Sequence, residues 1–232
     1  PIGQWLPDFP TQGPLAITFR HLFTHTTGLT GHFENWGLYN PRLDNVIACR
    51  LEALAPGHVD IYNGMGYDLV GRILEVITGT GIVRLFNERL FAPLGLTPPA
   101  LCDLGGGLFG RCTDLARLAQ LMANKGTYGR HCFFSAETFD QLMPRPLADF
   151  DPELNGERGI GLWWMREPRQ LGVDDNTFIL GQNTIGHGAA SGSILRVDLD
   201  NDLIMVQTRN EAGPDYDNHA HAFFETIAQS LR

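Results

Sequence analysis

Two short stretches of this 232-residue chain place proton-carrying side chains where a loop hands over to a regular element. Tyr62-Asn63-Gly64 precedes a helical run, and Gly186-His187-Gly188 precedes a hairpin pattern. A phenol and an imidazole can each move a proton or orient a polar group in nucleophilic or acid–base chemistry. Taken alone, Tyr62 reads as an ordinary half-buried aromatic. His187, flanked by two glycines ahead of a hairpin, reads as functional. His21 and His25 have the i, i+4 spacing of metal ligands on one helix face, but no Glu follows His21 as it does in H-E-x-x-H, so both read as structural. Gly105-Gly106-Gly107 lacks the strand, helix and Lys of a phosphate loop and reads as a turn. His219 and His221 read as solvated. Cys49, Cys102, Cys112 and Cys132 lie far apart with no C-x-x-C pair, which points to free, mostly buried thiols rather than zinc or a disulfide scaffold.

The elements that must carry these residues follow from periodicity and punctuation. Thr18 can cap a short helix bearing Phe19, Leu22 and Phe23, stopped by Gly28. Tyr67, Val70, Ile73, Leu74 and Ile77 recur at helical spacing and Gly79 ends the run. Ile82, Leu85, Phe86 and Leu90 repeat the pattern until Pro93. Thr113 and Ser135 are the expected caps of two further helices, the first closed by Gly126. The character then changes. Residues 159–165 and 177–185 read as strands, and 193–197 with 203–208 as a hairpin across the acidic turn Asp198–Asp202. Phe223, Phe224 and Ile227 suggest a closing helix. Of Trp163 and Trp164, one is expected in the core and the other at the site or the surface, since neighbouring strand residues point to opposite faces. Helices followed by an antiparallel sheet make an α+β class. The expected division is a mainly helical lobe over 1–155 and a sheet lobe over 156–232. One face of that sheet and one edge are expected to need a partner.

Composition bounds the function. The formal net charge is −9, and 43% of residues are hydrophobic against 19% charged. That mix is globular rather than disordered. The acidic balance argues against a partner bound through its phosphates, so no nucleic acid is expected. No apolar run approaches the ~18 residues of a membrane span. Sixteen of the seventeen basic residues are Arg; Lys125 is the one Lys.

Several stretches together resemble the serine β-lactamase-like family, which includes class C β-lactamases, related esterases, D-aminopeptidases and penicillin-binding proteins. Ile17–Leu29 is similar to its "ITxRHLLTHTSGL" segment. Tyr62–Tyr67 with Gly71–Gly79 resembles "YSNxxYxLLGxIIExVTG", and Phe91–Leu96 resembles "IFxPLGM". Gly106–Phe109 with Thr113–Arg117 resembles "GGLxSTAxDLARF", and Gly186–Ala189 ahead of the hairpin resembles "GHGG". The resemblance covers nearly the whole chain in family order. It implies a β-lactamase/penicillin-binding-like fold and acyl transfer through a serine ester, on a small-molecule ester or amide, with no cofactor or metal. The family works with Ser-x-x-Lys, Tyr-x-Asn and Lys-Thr-Gly or His-x-Gly elements. Carried over, Tyr62 is the general base or proton relay and His187 the third-element residue. Gly64, Gly188 and Ala189 lie along the substrate, and Ala190 supplies a strand N–H to the oxyanion hole.

The chain departs from that pattern at three places. Gly64 stands where the second element carries Asn, and Ala189 where the third ends in Gly. Asn63 could substitute for the missing amide only with a different loop. No Ser-x-x-Lys exists, because the residue three before Lys125 is Met122. In the family that motif opens a helix upstream of the segment that Pro1–Pro7 resembles. The reading therefore expects Pro1 to mark a cut, and an N-terminal segment of the same protein to be a partner of this chain. On this reading the chain alone is inactive. A second reading is a non-catalytic binding or regulatory module derived from the same fold.

Overall fold

The computed structural model describes residues 1–29, 55–173 and 176–230; Cys49 lies outside them. The described residues form two compact units, Pro1–Gly110 with Arg145–Gly161, and Arg111–Pro144 with Leu162–Arg232.

The first unit is built on α1 (Phe19–Phe23), α2 (Met65–Thr78) and α3 (Ile82–Phe86). Thr18 caps α1 reciprocally: its hydroxyl accepts from the His21 N–H and His21 Nδ1 accepts from the Thr18 N–H, each at 3.3 Å. The helix begins where the sequence places its cap but ends at Phe23, well before Gly28. Gly79 closes α2 as expected, in the left-handed region at φ 62°. Met65, Leu69 and Ile73, four apart on one face of α2, bury against Ile2, Leu6, Ile17 and Leu22. Gly66 is required there, since a Cβ would lie 2.2 Å from the Leu22 carbonyl oxygen. After α3 the chain widens into a π-type turn over Asn87–Phe91 instead of continuing as one α-helix. The returning segment adds a two-residue ladder, Arg145–Pro146 against Glu157–Arg158, and buries Leu147 and Leu154.

The second unit holds an antiparallel sheet of β1 (Trp163–Trp164), β2 (Thr184–Gly188), β3 (Ile194–Asp198) and β4 (Leu203–Gln207), in the order β4-β3-β2-β1. Pleating sorts its side chains onto two faces. Ile194 and Met205 meet Phe224 of the closing helix, which with α4 (Cys112–Ala123) and α5 (Ala136–Leu142) is numbered α6 (Tyr216–Ser230). Ile185, Leu195, Val197, Ile204 and Val206 pack instead with Ala119 of α4 and Phe139 of α5. Both faces are thus covered from within the unit. The class is α+β, but two expectations are corrected. Residues 111–144 belong with the sheet rather than with a helical lobe ending at 155, and they cover the face expected to lack a partner. An amphipathic stripe shows that a helix buries one side, not what it buries it against.

Smaller differences have local causes. The helix expected to start at Thr113 starts at Cys112, with Arg111 at its N-cap and no side-chain cap bond. Ser135 does cap α5, accepting from the Thr138 N–H at 3.1 Å. The β3–β4 hairpin keeps the expected pairing, Asp198 opposite Leu203. Its acidic turn is tied by the buried Asp198 carboxylate, which accepts from the N–H groups of Asp200 (3.1 Å), Asn201 (3.2 Å) and, across the unit, Gly181 (2.8 Å). The cysteines expected to be mostly buried are not: Cys102 and Cys132 are exposed and Cys112 half-buried, all three as free thiols. Among the described residues no helix is long and apolar enough to cross a membrane.

Candidate functional site

Tyr62 sits on the loop that leads into α2, with 57% of the residue's surface exposed. The loop beneath it is fixed from several sides. His25, buried and left-handed at φ 61°, accepts from the Ile61 N–H through its own carbonyl at 2.9 Å. Its Nδ1 lies 2.9 Å from the Asn63 carbonyl and 3.3 Å from the Asn63 N–H, and the shorter contact assigns the ring proton to Nδ1. The His25 ring packs 4.5 Å from Tyr62 and 5.6 Å from Tyr67, centroid to centroid. Asp60, two residues before Tyr62, pairs with Arg158 at 2.7 Å. His58 pairs with Asp151, whose carboxyl is held below its usual range chiefly by the Glu153 N–H. Burial pushes the Tyr67 phenol up to about 12, with the neighbouring Tyr62 adding to the shift; its hydroxyl donates to the Phe23 carbonyl at 3.3 Å.

Gly64 is the N-cap of α2 and abuts the glycine turn: a Cβ on Gly105 would lie 2.7 Å from the Gly64 Cα. That turn is held by the buried Asp103, which accepts from the Gly106 N–H at 2.8 Å, and by Asp68, which accepts from the Leu104 N–H at 3.2 Å. The triple glycine is therefore a packed turn, as its sequence suggested. Asn63 does not replace the missing amide. Its Oδ1 accepts from the Met65 N–H (3.1 Å) and its Nδ2 donates to the Ile61 carbonyl (2.9 Å), so both ends of its amide serve the local backbone.

In the second unit His187 is the penultimate residue of β2, opposite Leu195 of β3. Its Nδ1 contacts the Gly188 carbonyl, and Trp163 stands edge-on to it at 5.4 Å. Trp164 packs into the core beside Ile185 and Val197, so the two tryptophans divide as expected. Gly186 permits the close approach of β2 and β3: a Cβ there would lie 2.0 Å from the Leu195 oxygen. Gly188 ends the strand. Ala189 donates to the Ser193 carbonyl at 3.1 Å and accepts from the Gly192 N–H at 2.8 Å, which closes a tight turn. Ala190 lies in that turn and is exposed, so the N–H expected from a strand comes from a turn instead. The hairpin turns back sooner than the sequence pattern implied.

His21 and His25 do not share a helix face, because α1 ends at Phe23. His21 completes the cap of α1, and His25 supports the Tyr62 loop. Sequence reasoning missed Asp60, Arg158, Asp151 and the supporting role of His25. Arg158 and Asp60 are 98 residues apart, and no local spacing carries such a pairing.

Comparison with known proteins places these observations. The β-lactamase family model matches residues 1–103. Penicillin-binding protein 4* of Bacillus subtilis is 31% identical over 105 residues, 41% of this chain and 23% of the relative. Among solved structures, a β-lactamase from Mycobacterium bovis superposes with a TM-score of 0.66 at 20% identity, over 96% of this chain and 76% of its own. A penicillin-binding protein homologue from Caulobacter crescentus gives 0.67 at 17% identity, over 100% and 76%. Matches to the first curated relatives span between 22% and 46% of those proteins' own length.

Proposed function

We propose that this chain, whose first 103 residues match the β-lactamase family model and which is similar to serine hydrolases of β-lactamase and penicillin-binding-protein type, is the portion of an acyl-serine hydrolase that follows the nucleophile. The substrate is a small ester or amide. The observation that carries this reading is Tyr62: an exposed phenol on a loop whose neighbours on both sides are held by hydrogen bonds. Catalytic groups need this kind of fixed support. In the proposed reaction a serine hydroxyl, a poor nucleophile at neutral pH, passes its proton to the Tyr62 oxygen as it attacks the carbonyl carbon, while the phenol's own proton moves to the neutral amine of the Ser-x-x-Lys lysine. The same proton then goes to the leaving alkoxide or amine, and water hydrolyses the acyl-serine in a second round. His187 orients the substrate, and N–H groups at the end of β2 and in its turn are the candidate donors to the oxyanion. No Ser-x-x-Lys occurs in these residues, so the serine and its lysine come from a segment outside them.

Incubation with p-nitrophenyl acetate and a chromogenic cephalosporin, read by mass spectrometry and absorbance, tests this. The 232-residue chain is expected to give no acyl adduct and no turnover. The chain joined to a Ser-x-x-Lys segment is expected to form the adduct and turn over, with Tyr62→Phe slowing it by roughly 10²–10⁴-fold. Stoichiometric acylation of a serine within the 232 residues overturns the reading. The bound state of Asn63, together with Gly64, favours a second reading: a non-catalytic binding module without the substrate-holding amide. That reading expects the joined chain to bind ligand without acylation.

A further inference from the structure

Among the described residues Arg196 is the one buried basic side chain other than histidine, and nothing in the proposed chemistry uses it directly. It lies on β3 with 5% of its surface exposed, on the face that carries Ile194, and its guanidinium stands 5.4 Å over the Phe224 ring. Nε and Nη2 both reach Glu167 Oε1 at 2.6 Å. Nη1 donates to two backbone carbonyls, those of His187 at 2.9 Å and Leu195 at 3.0 Å. These two residues are the cross-strand pair one step from the end of the β2–β3 ladder. One guanidinium nitrogen thus bridges both strands at the level of His187, and Glu167 fixes the guanidinium from the other side.

A buried ion pair is costly to desolvate and is often replaceable by apolar residues without loss of stability. Its neighbours here, Ile194, Met205 and Phe224, are already apolar. What an apolar residue could not do is hold the His187 carbonyl. Beyond Gly188 the chain enters a turn, so His187 sits where a strand end would otherwise fray. At the imidazole itself, Trp163 stands edge-on and Nδ1 contacts the Gly188 carbonyl.

We propose that Arg196, held by Glu167, is a positioning residue for His187: its guanidinium fixes the strand end from which the imidazole projects. This rests on the reading of His187 as a site residue. Arg196 touches no reacting atom and acts through the His187 backbone.

The test is two-dimensional NMR of the histidine rings in the 232-residue chain, with the His187 signal assigned by its loss in His187→Asn. The double variant Arg196→Met/Glu167→Gln removes both charges together and leaves no unpaired one. It is expected to keep the melting temperature and the ring signals of His58 and His131. The His187 signal is expected to move by more than its line width and to broaden. Arg196→Lys, which keeps the charge but offers a single ammonium in place of the fork, is expected to move the same signal without broadening the others. It serves as the second variant should the double one fail to fold. A His187 signal unmoved in the folded variants overturns the proposal. Failure of the catalytic reading appears separately, as acylation of the unextended chain by p-nitrophenyl acetate.

Discussion

His21 shows how much one side chain can carry away from the proposed chemistry. Its Nδ1 must accept from the Thr18 N–H, which only an imidazole with that nitrogen unprotonated can do. Burial, followed by the nearby Arg20 charge, holds its pKa below 6.5 in the folded chain. The unfolded chain therefore binds this proton more readily. The stabilising contribution is complete above pH 6.5 and is lost as pH falls through the lowered value. Urea midpoints followed downward from neutral pH should show this slope. His21→Gln, which keeps a capping-box side chain without a titrating ring, should flatten it. Tyr67 works at the other end of the scale. Its folded-state pKa of about 12 means the folded chain keeps a proton that the unfolded chain releases near 10. Its contribution is whole below pH 10 and falls away as pH rises toward 12. Alkaline difference absorbance should show one late-ionising tyrosine, absent in Tyr67→Phe.

At the scale of elements, contact between helices depends on the absence of side chains as much as on their presence. α1 and α2 meet where Gly66 leaves only a hydrogen facing the Leu22 carbonyl. Gly66→Ala forces a Cβ to 2.2 Å from that oxygen, and backbone cannot move aside as a flexible side chain can. Overpacking of this kind costs about 1–3 kcal/mol, against a gain of up to ~1 kcal/mol from Ala's helix propensity. Chemical denaturation should therefore find the variant less stable. Tyr62 should suffer as well, because its loop enters α2 at Met65, the residue before Gly66. The supports of that loop come from three places in sequence: His25, the Asp60–Arg158 pair and the His58–Asp151 pair.

At the scale of the whole molecule, chain order and packing order differ. The segment 111–144 packs on the sheet of the second unit, and the segment 145–161 returns to the first. Phe139 is the clearest marker of this, fully buried with Ile185 and Val197 although more than forty residues separate it from either. Phe139→Ala should cost about 3–5 kcal/mol. Hydrogen exchange should quicken in β2 and β3, while the amides of α2 in the other unit keep their protection. If α2 loses protection and the sheet does not, the division into these two units is wrong.

By itself the sequence determined the elements whose signals are local. Thr18 and Ser135 are caps because a hydroxyl can reach a backbone N–H three residues on. Gly79 ends α2 because the left-handed cap favours glycine, and the hairpin pairing follows from alternation on either side of an acidic turn. The family resemblance was legible for the same reason, since its motifs are short runs of neighbouring residues. Tertiary structure alone decided the rest. Whether Asn63 has an amide to spare depended on which backbone groups lay within reach. The place of Ala190, in a turn rather than on a strand, depended on where β2 stopped pairing. Arg196 looked like one arginine among sixteen until the fold enclosed it between Glu167, Phe224 and the His187 carbonyl. Hydrogen bonds and ion pairs act over a few ångströms in space, and periodicity along a chain says nothing of which distant residues come that close.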